Sequence, residues 1–333
     1  MRVLIVLPGA IGDVARALPL LGRLRRARPD AHIGWAVEPP AAPLLAGHPW
    51  LNEVAVFERA GGARAFLAFL RRVRAGGWTM ALDLGRSLKS GIVARASGAR
   101  QRLGFARSDG REGNWLFANV HVAAQGIERS KLEQFLAFGD RLGLAPGPVE
   151  FGLAPTEAEA RDADAILHGL ARPLVAACLG STCSSRRWFP DRTAEVLRTL
   201  LARDGGSAVL LGTVTDASFA AQVVRRSDGA VRDLVGRTSL RQLVAILGRA
   251  QLAFGPDSGA LHLAAAVGVP TVSLWGATSA ARSAPWGSEH LAVTGTAPCA
   301  PCFLKTCPIE RVCMRTITPG DLAVAWNGAR ART

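Results

Sequence analysis

Tyrosine is absent from these 333 residues. Lysine is nearly so: Lys89, Lys131 and Lys305 are the whole supply, and arginine carries almost all of a formal charge of +14. No stretch reaches the roughly eighteen uninterrupted apolar residues that a membrane-spanning helix needs. The longest apolar run, after Asp257, is broken by His262, Gly268 and Pro270. At the start, the apolar run Val3–Leu7 stops at Pro8 and Gly9, too short for the core of a secretion signal. The chain is therefore expected in the cytoplasm, with any membrane contact peripheral at its inner face. Helix-turn-helix, zinc-finger and RNA-binding signatures are missing, and the arginines are scattered, so nucleic acid is not the expected partner. A strongly basic surface instead favours phosphates, acidic headgroups or other small anions.

What is present reads as α/β. The length suggests about two domains, and a hydrophobic content of 49% supplies their cores. Strand-like and helical segments alternate along the chain, the pattern of parallel sheets. The most informative stretch is Phe254 to Gly276: strand end, tight loop, helix, Gly stop, second strand. Ser258 stands at an N-cap position and Gly259 lets a ligand approach the backbone. The free N–H groups of that first turn, with the helix dipole behind them, suit an anion. A turn whose serine merely caps accounts for Ser258 but gives no work to Asp257 or His262.

A second strand–loop–helix opens the chain. Arg2–Leu7 predicts a strand, Pro8–Asp13 a loop, and Val14–Ala27 a helix ended by Pro29. Asp13 is then an N-cap or a rim carboxylate, and the two readings stand about level. Gly9 and Gly12 after a first strand, with Glu38 after the second, also suggest a dinucleotide site. The loop, however, is G-x-x-G and not G-x-G-x-x-G. Farther on, Trp78–Leu84 predicts a strand, followed by Arg86, Ser87 and Lys89 at a helix start on the carboxyl rim. Lys131–Leu142 predicts an amphipathic helix, and 146–155 an interdomain linker. In the second half, the strand Leu174–Leu179 leads into Gly180–Pro190, rich in hydroxyls and carrying Arg186 and Arg187, which suits a cluster of anionic oxygens. Asp162 and Asp164 form D-x-D inside a helical stretch, and read as a solvated helix face.

Together, the Pro8–Asp13 loop, the Asp83–Lys89 segment, Arg102-Leu-Gly-Phe105, the Arg-Arg-Trp-x-Pro loop and Asp-Ser-Gly-x-x-His resemble glycosyltransferase family 9, the ADP-heptose:lipopolysaccharide heptosyltransferases. The cysteine-rich tail ending at Ile317 resembles many members too. The resemblance implies the GT-B architecture: two Rossmann-like parallel-sheet domains facing a central cleft. Residues 1–150 would bind the acceptor and 151–318 the nucleotide-sugar donor, with 319–333 as a closing helix. It implies inverting transfer of heptose, or a related sugar, to a lipopolysaccharide inner-core acceptor. Asp13 takes the general-base position. Ser181, Thr182, Arg186, Arg187, Asp257, Ser258, Gly259 and His262 take the donor site. Gly12, Arg86, Lys89 and Arg102, expected near the carboxyl rim, are assigned to an anionic acceptor. Where members usually carry Lys then Arg before Trp, this chain has Arg186 first, and the two are not equivalent at a phosphate. The family's acidic ribose contact has no clear counterpart, Asp216 being the nearest acid.

The resemblance implies that no cofactor is required for catalysis. Cys299, Cys302, Cys307 and Cys313 nevertheless form C-x2-C-x4-C-x5-C, a spacing compatible with a structural zinc or iron–sulfur loop and equally with thiols packed in a hairpin. Two other functions remain open: an NAD-dependent oxidoreductase using the first glycine loop, and a non-catalytic scaffold.

Overall fold

A computed structural model describes residues 1–126, 128–227 and 230–330. The chain divides into two compact units, Met1–Leu153 and the chain from Ala154 on, with the boundary inside the expected 146–155 linker. The first unit runs β1 (Arg2–Val6), α1 (Ile11–Ala27), β2 (His32–Val37), α2 (Ala42–Leu45), β3 (Glu53–Val56), α3 (Gly62–Ala75), β4 (Met80–Asp83), α4 (Leu88–Ala96), β5 (Gln101–Phe105), β6 (Val120–Val122) and α5 (Lys131–Arg141). The second runs α6 (Glu157–Ile166), β7 (Leu174–Cys178), α7 (Pro190–Asp204), β8 (Ser207–Leu211), α8 (Ala217–Arg226), β9 (Val231–Asp233), α9 (Leu240–Leu247), β10 (Leu252–Pro256), α10 (Gly259–Ala266), β11 (Thr271–Trp275), α11 (Ala280–Ser283), β12 (Ala292–Thr294), α12 (Val312–Arg315) and α13 (Pro319–Arg330). Residues 331–333 of the expected closing segment lie outside the described residues.

Each unit holds a six-stranded sheet whose strand pairings, among the described residues, are all parallel, ordered β3-β2-β1-β4-β5-β6 in the first and β12-β11-β10-β7-β8-β9 in the second. Numbered within its own unit, each is the doubly wound order 3-2-1-4-5-6, in which ligands bind where the winding reverses, at the carboxyl ends of the central strands. Those switch points lie between β1 and β4, and between β7 and β10. The central strands are apolar on both faces because helices cover both sides: Val3–Val6 and Leu174–Cys178 are all buried.

The strand register corrects one expectation. Arg102 is the second residue of β5 and pairs with Ala81, so it sits toward the amino end of the sheet, away from the carboxyl rim. Its guanidinium donates to the carbonyls of Phe117 (2.8 Å) and Ala99 (2.8 Å), a structural role. In the second unit, Asp164 of the D-x-D pairs with Arg249 at 2.7 Å on the outside of α6, and Asp162 is exposed. No described helix is long and apolar enough to cross a membrane.

Candidate active site

In the first unit, the turn from β1 into α1 places Asp13 in the first helical turn, where its backbone N–H bonds Ala10 O at 3.0 Å. Its Oδ1 accepts from Arg16 Nη2 at 2.5 Å and from Lys131 Nζ at 2.9 Å. Lys131 is the first residue of α5, which packs along α1. Burial pushes the Asp13 carboxyl up. The opposing charges and hydrogen bonds of Lys131 and Arg16 prevail and hold it well below the usual carboxylate range. The side chain remains 24% exposed, so an incoming group can reach it.

Across the switch point, Asp83 ends β4 beside Val6 of β1. It is 3% exposed. Gly85 N–H (3.0 Å) and Asn114 Nδ2 (3.3 Å) donate to it. Burial without a cation raises it to about 6, hydrogen bonds from Ser90, Gly85 and Asn114 opposing that shift.

Arg86 and Lys89 begin the next segment. Arg86 stacks 3.8 Å from the Phe105 ring centroid and donates to Gln134 Oε1 on α5. Lys89 lies 3.5 Å from Glu38 Oε1 and over the Phe57 ring. Both flank the carboxyl rim. Gly12 is buried in α1 one residue before Asp13.

In the second unit the loops after β7 and β10 are laced together. Ser181 Oγ donates to Asp257 O at 2.9 Å. Arg186 Nη1 meets Asp257 Oδ2 at 2.9 Å, and Thr278 Oγ1 donates to the same oxygen at 2.9 Å. Asp257 is therefore engaged in orienting Arg186. Arg187 Nη2 pairs with Asp216 Oδ1 at 2.9 Å, and its Nε donates to Ser181 O at 3.4 Å. Asp216, 2% exposed, also accepts from Thr213 N at 2.9 Å. A Cβ on Gly180 would lie 2.5 Å from Asp216 Oδ2, so glycine there makes room for the carboxylate.

Ser258 precedes α10, but its hydroxyl makes no capping bond and its buried Oγ has no partner. Capping is thus not what the hydroxyl does. It stands beside the N–H groups of Gly259 and the following residues, which no intrahelical carbonyl can take. Thr182 is exposed on the neighbouring loop, and His262 is buried on α10. The result is a helix N-terminus with a spare hydroxyl and two arginines, each pinned by a buried carboxylate: a preorganised place for anionic oxygens.

The sequence singled out Asp13, Arg186, Arg187, Asp257 and Ser258. It missed Arg16 and Lys131 as partners of Asp13, Thr278 as a partner of Asp257, and the Arg187–Asp216 pair. The four tail cysteines are free thiols. Burial first, and then the sulfurs of Cys299, Cys302 and Cys307, raise the thiol of Cys313. Among the described residues, no three metal-ligating side chains are gathered for an ion, so the tail does not form a ligand set as placed.

Comparison with known proteins gives one consistent result. Residues 66–313 match the model of glycosyltransferase family 9 (heptosyltransferase). Lipopolysaccharide heptosyltransferase 1 of Pseudomonas aeruginosa is 27% identical over 327 residues, covering 93% of this chain and 88% of that one. The solved family 9 glycosyl transferase of Veillonella parvula superposes with a TM-score of 0.86 at 20% identity, covering 100% of this chain and 98% of that one. The E. coli heptosyltransferase WaaC, solved with ADP-2-deoxy-2-fluoro heptose, gives 0.75 at 22% identity over 98% and 99%. These likenesses assign the α/β fold to the two-domain GT-B architecture.

Proposed function

This chain belongs to glycosyltransferase family 9, and on that premise we propose that it moves heptose from ADP-heptose to an anionic lipopolysaccharide inner-core acceptor, inverting the anomeric centre. The relative from P. aeruginosa carries the lipopolysaccharide heptosyltransferase name, and the analogue bound to the E. coli enzyme supports the donor. The observation that carries the reading is the site in front of α10. There the unpartnered Ser258 hydroxyl, the helix amides and Arg186, fixed by Asp257, are set for a diphosphate.

In this mechanism the second unit holds the nucleotide sugar. Arg186, Arg187, Ser181, Thr182, Ser258 and the amide of Gly259 carry the charge that develops on the departing diphosphate, in the manner of preorganised donors. His262 backs the same turn from within α10. The first unit presents the acceptor hydroxyl to Asp13. That hydroxyl becomes strongly acidic as its oxygen bonds the anomeric carbon, so even a carboxylate of low basicity can take the proton. Arg86 and Lys89 lie on the same rim for the acceptor's negative groups. Arginines and amides perform the work of a metal, so no catalytic cofactor is needed. The acceptor is lipid-linked, which puts the enzyme in the cytoplasm at the inner face of the membrane.

Asp13→Asn tests the base. It should keep the fold and ADP-heptose affinity by calorimetry, while kcat falls about a hundredfold or more. Turnover near the wild-type rate would remove Asp13 from that role. The dinucleotide reading needed Glu38 for a ribose. Glu38 instead pairs with Lys89, and parallel NADH and ADP-heptose titrations separate the two.

A further inference from the structure

Helix α3 is two-faced in a particular way. Phe69 and Val73 are buried against the first unit's core, with Phe66 and Leu70 packed beside them. At 100° per residue, the opposite face carries Arg64, Leu67, Ala68 and Arg71, and all four are exposed, Leu67 at 53%. Arg74 leans from the end of α3 onto Gly98, at the end of α4, because a Cβ there would overlap its guanidinium. Exposed Arg95 and Arg100 flank that point. From Glu58 to Asp109 the intervening chain contains one acid, Asp83, and it is buried. Among the described residues, no ion pair ties Arg64, Arg71, Arg95 or Arg100 to a carboxylate.

We propose that the outer face of α3, with the end of α4, docks on an anionic bilayer, Arg64, Arg71, Arg95 and Arg100 meeting headgroup phosphates and Leu67 entering the interface. Each base near an anionic surface adds a comparable increment of attraction, and here Arg64 and Arg71 stand on α3, Arg95 on α4 and Arg100 in the bend before β5. The apolar side of α3 is consumed by the core, so, among the described residues, Leu67 is the one large apolar side chain its outward face offers a partner helix. That face lacks an exposed aromatic on which nucleic-acid bases would stack. The inference deepens the proposed function, since it rests on a lipid-linked acceptor for its purpose. Its physical content, adhesion of α3 to anionic lipid, is independent of the chemistry.

The test is co-sedimentation of the full chain with vesicles of phosphatidylcholine alone and of phosphatidylcholine mixed with phosphatidylglycerol. The protein should bind the mixed vesicles, leave the neutral ones, and release as salt rises. Arg64→Gln with Arg71→Gln should weaken partitioning roughly thirtyfold. Leu67→Ser should weaken it less. These positions are exposed, so the melting temperature should hold, and so should kcat on a soluble, delipidated acceptor. Equal binding to both vesicle types, or full binding by the double variant, overturns the proposal. So does a double variant that keeps vesicle binding but loses the soluble acceptor, which would make these arginines part of the acceptor site. Vesicle binding as expected, with no heptose transferred, would leave the face standing and remove the proposed function.

Discussion

Asp13 could be picked from the sequence, because a carboxylate after a first strand's glycine loop has few roles. Its electrostatics could not, since Lys131 lies 118 positions away and meets it through the packing of α5 on α1. The same holds for Arg187 and Asp216, brought together by neighbouring strands. Two predictions belong at this scale. Lys131→Met removes one of the two cations that hold Asp13 down, so the acid limb of the kcat/KM profile should move to higher pH. Lys131→Arg should restore it, whereas a lysine needed only for folding would leave the limb in place and lower the melting temperature. Asp83 has the opposite sign. Its folded value of about 6 lies above the unfolded value of 3.8. The folded state therefore binds the extra proton between those values, and stability falls as pH rises from about 4 through about 6. Two units correspond to about 3 kcal/mol at most. Asp83→Asn should flatten that slope and raise the melting temperature at pH 7 more than at pH 4, provided its amide oxygen keeps the Gly85 N–H. An unchanged pH slope of melting would show that Asp83 is not the titrating group.

Among the elements, the long periodic segments were legible and the short ones were not. The expected strand Leu174–Leu179 and helix Lys131–Leu142 differ from β7 and α5 by one residue at one end. The helix expected from Val14 starts at Ile11, because Gly12 and Asp13 form part of its first turn. The edge strands β6, β9 and β12, of three residues each, escaped notice. Edge strands bury less, so they carry no continuous apolar run, and pairing decides them. Arg102 was misplaced for a related reason: composition marks a strand but not which end of the sheet a residue occupies. Gly255 shows what pairing demands. A Cβ there would lie 2.1 Å from Cys178 O on β7, the strand beside it. Gly255→Ala must therefore push β10 from β7 just before Asp257. Loss of most soluble protein, or a fall in melting temperature with ADP-heptose affinity down at least tenfold, is expected. Wild-type affinity and melting would mean that the strands separate without moving Asp257.

For the molecule as a whole, the charge of +14 could be read from composition but its placement could not. Much of the arginine is structural. Arg23 reaches from α1 to Asp140 at 2.8 Å and Ala145 O at 2.9 Å, and Arg241 pairs with Glu159 at 2.7 Å, linking α9 to α6. Net charge therefore overstates what is available for a ligand, and salt dependence measures the remainder. Arg86 and Lys89 are the informative pair, because each already has a partner on the rim: Gln134 and Phe105 for one, Glu38 and Phe57 for the other. An acceptor phosphate or carboxylate must compete with Glu38 for Lys89 and with Gln134 for Arg86, whose guanidinium is stacked and fixed on Phe105. Acceptor KM should accordingly rise with salt over the range where the Debye length shrinks from about 10 Å to about 3 Å. Arg86→Gln with Lys89→Gln should raise acceptor KM about tenfold or more and flatten that dependence, with ADP-heptose affinity unchanged. Steady-state kinetics with each substrate varied separately decides the matter. A change confined to the donor would transfer these residues to nucleotide-sugar binding and reverse the assignment of acceptor to the first unit.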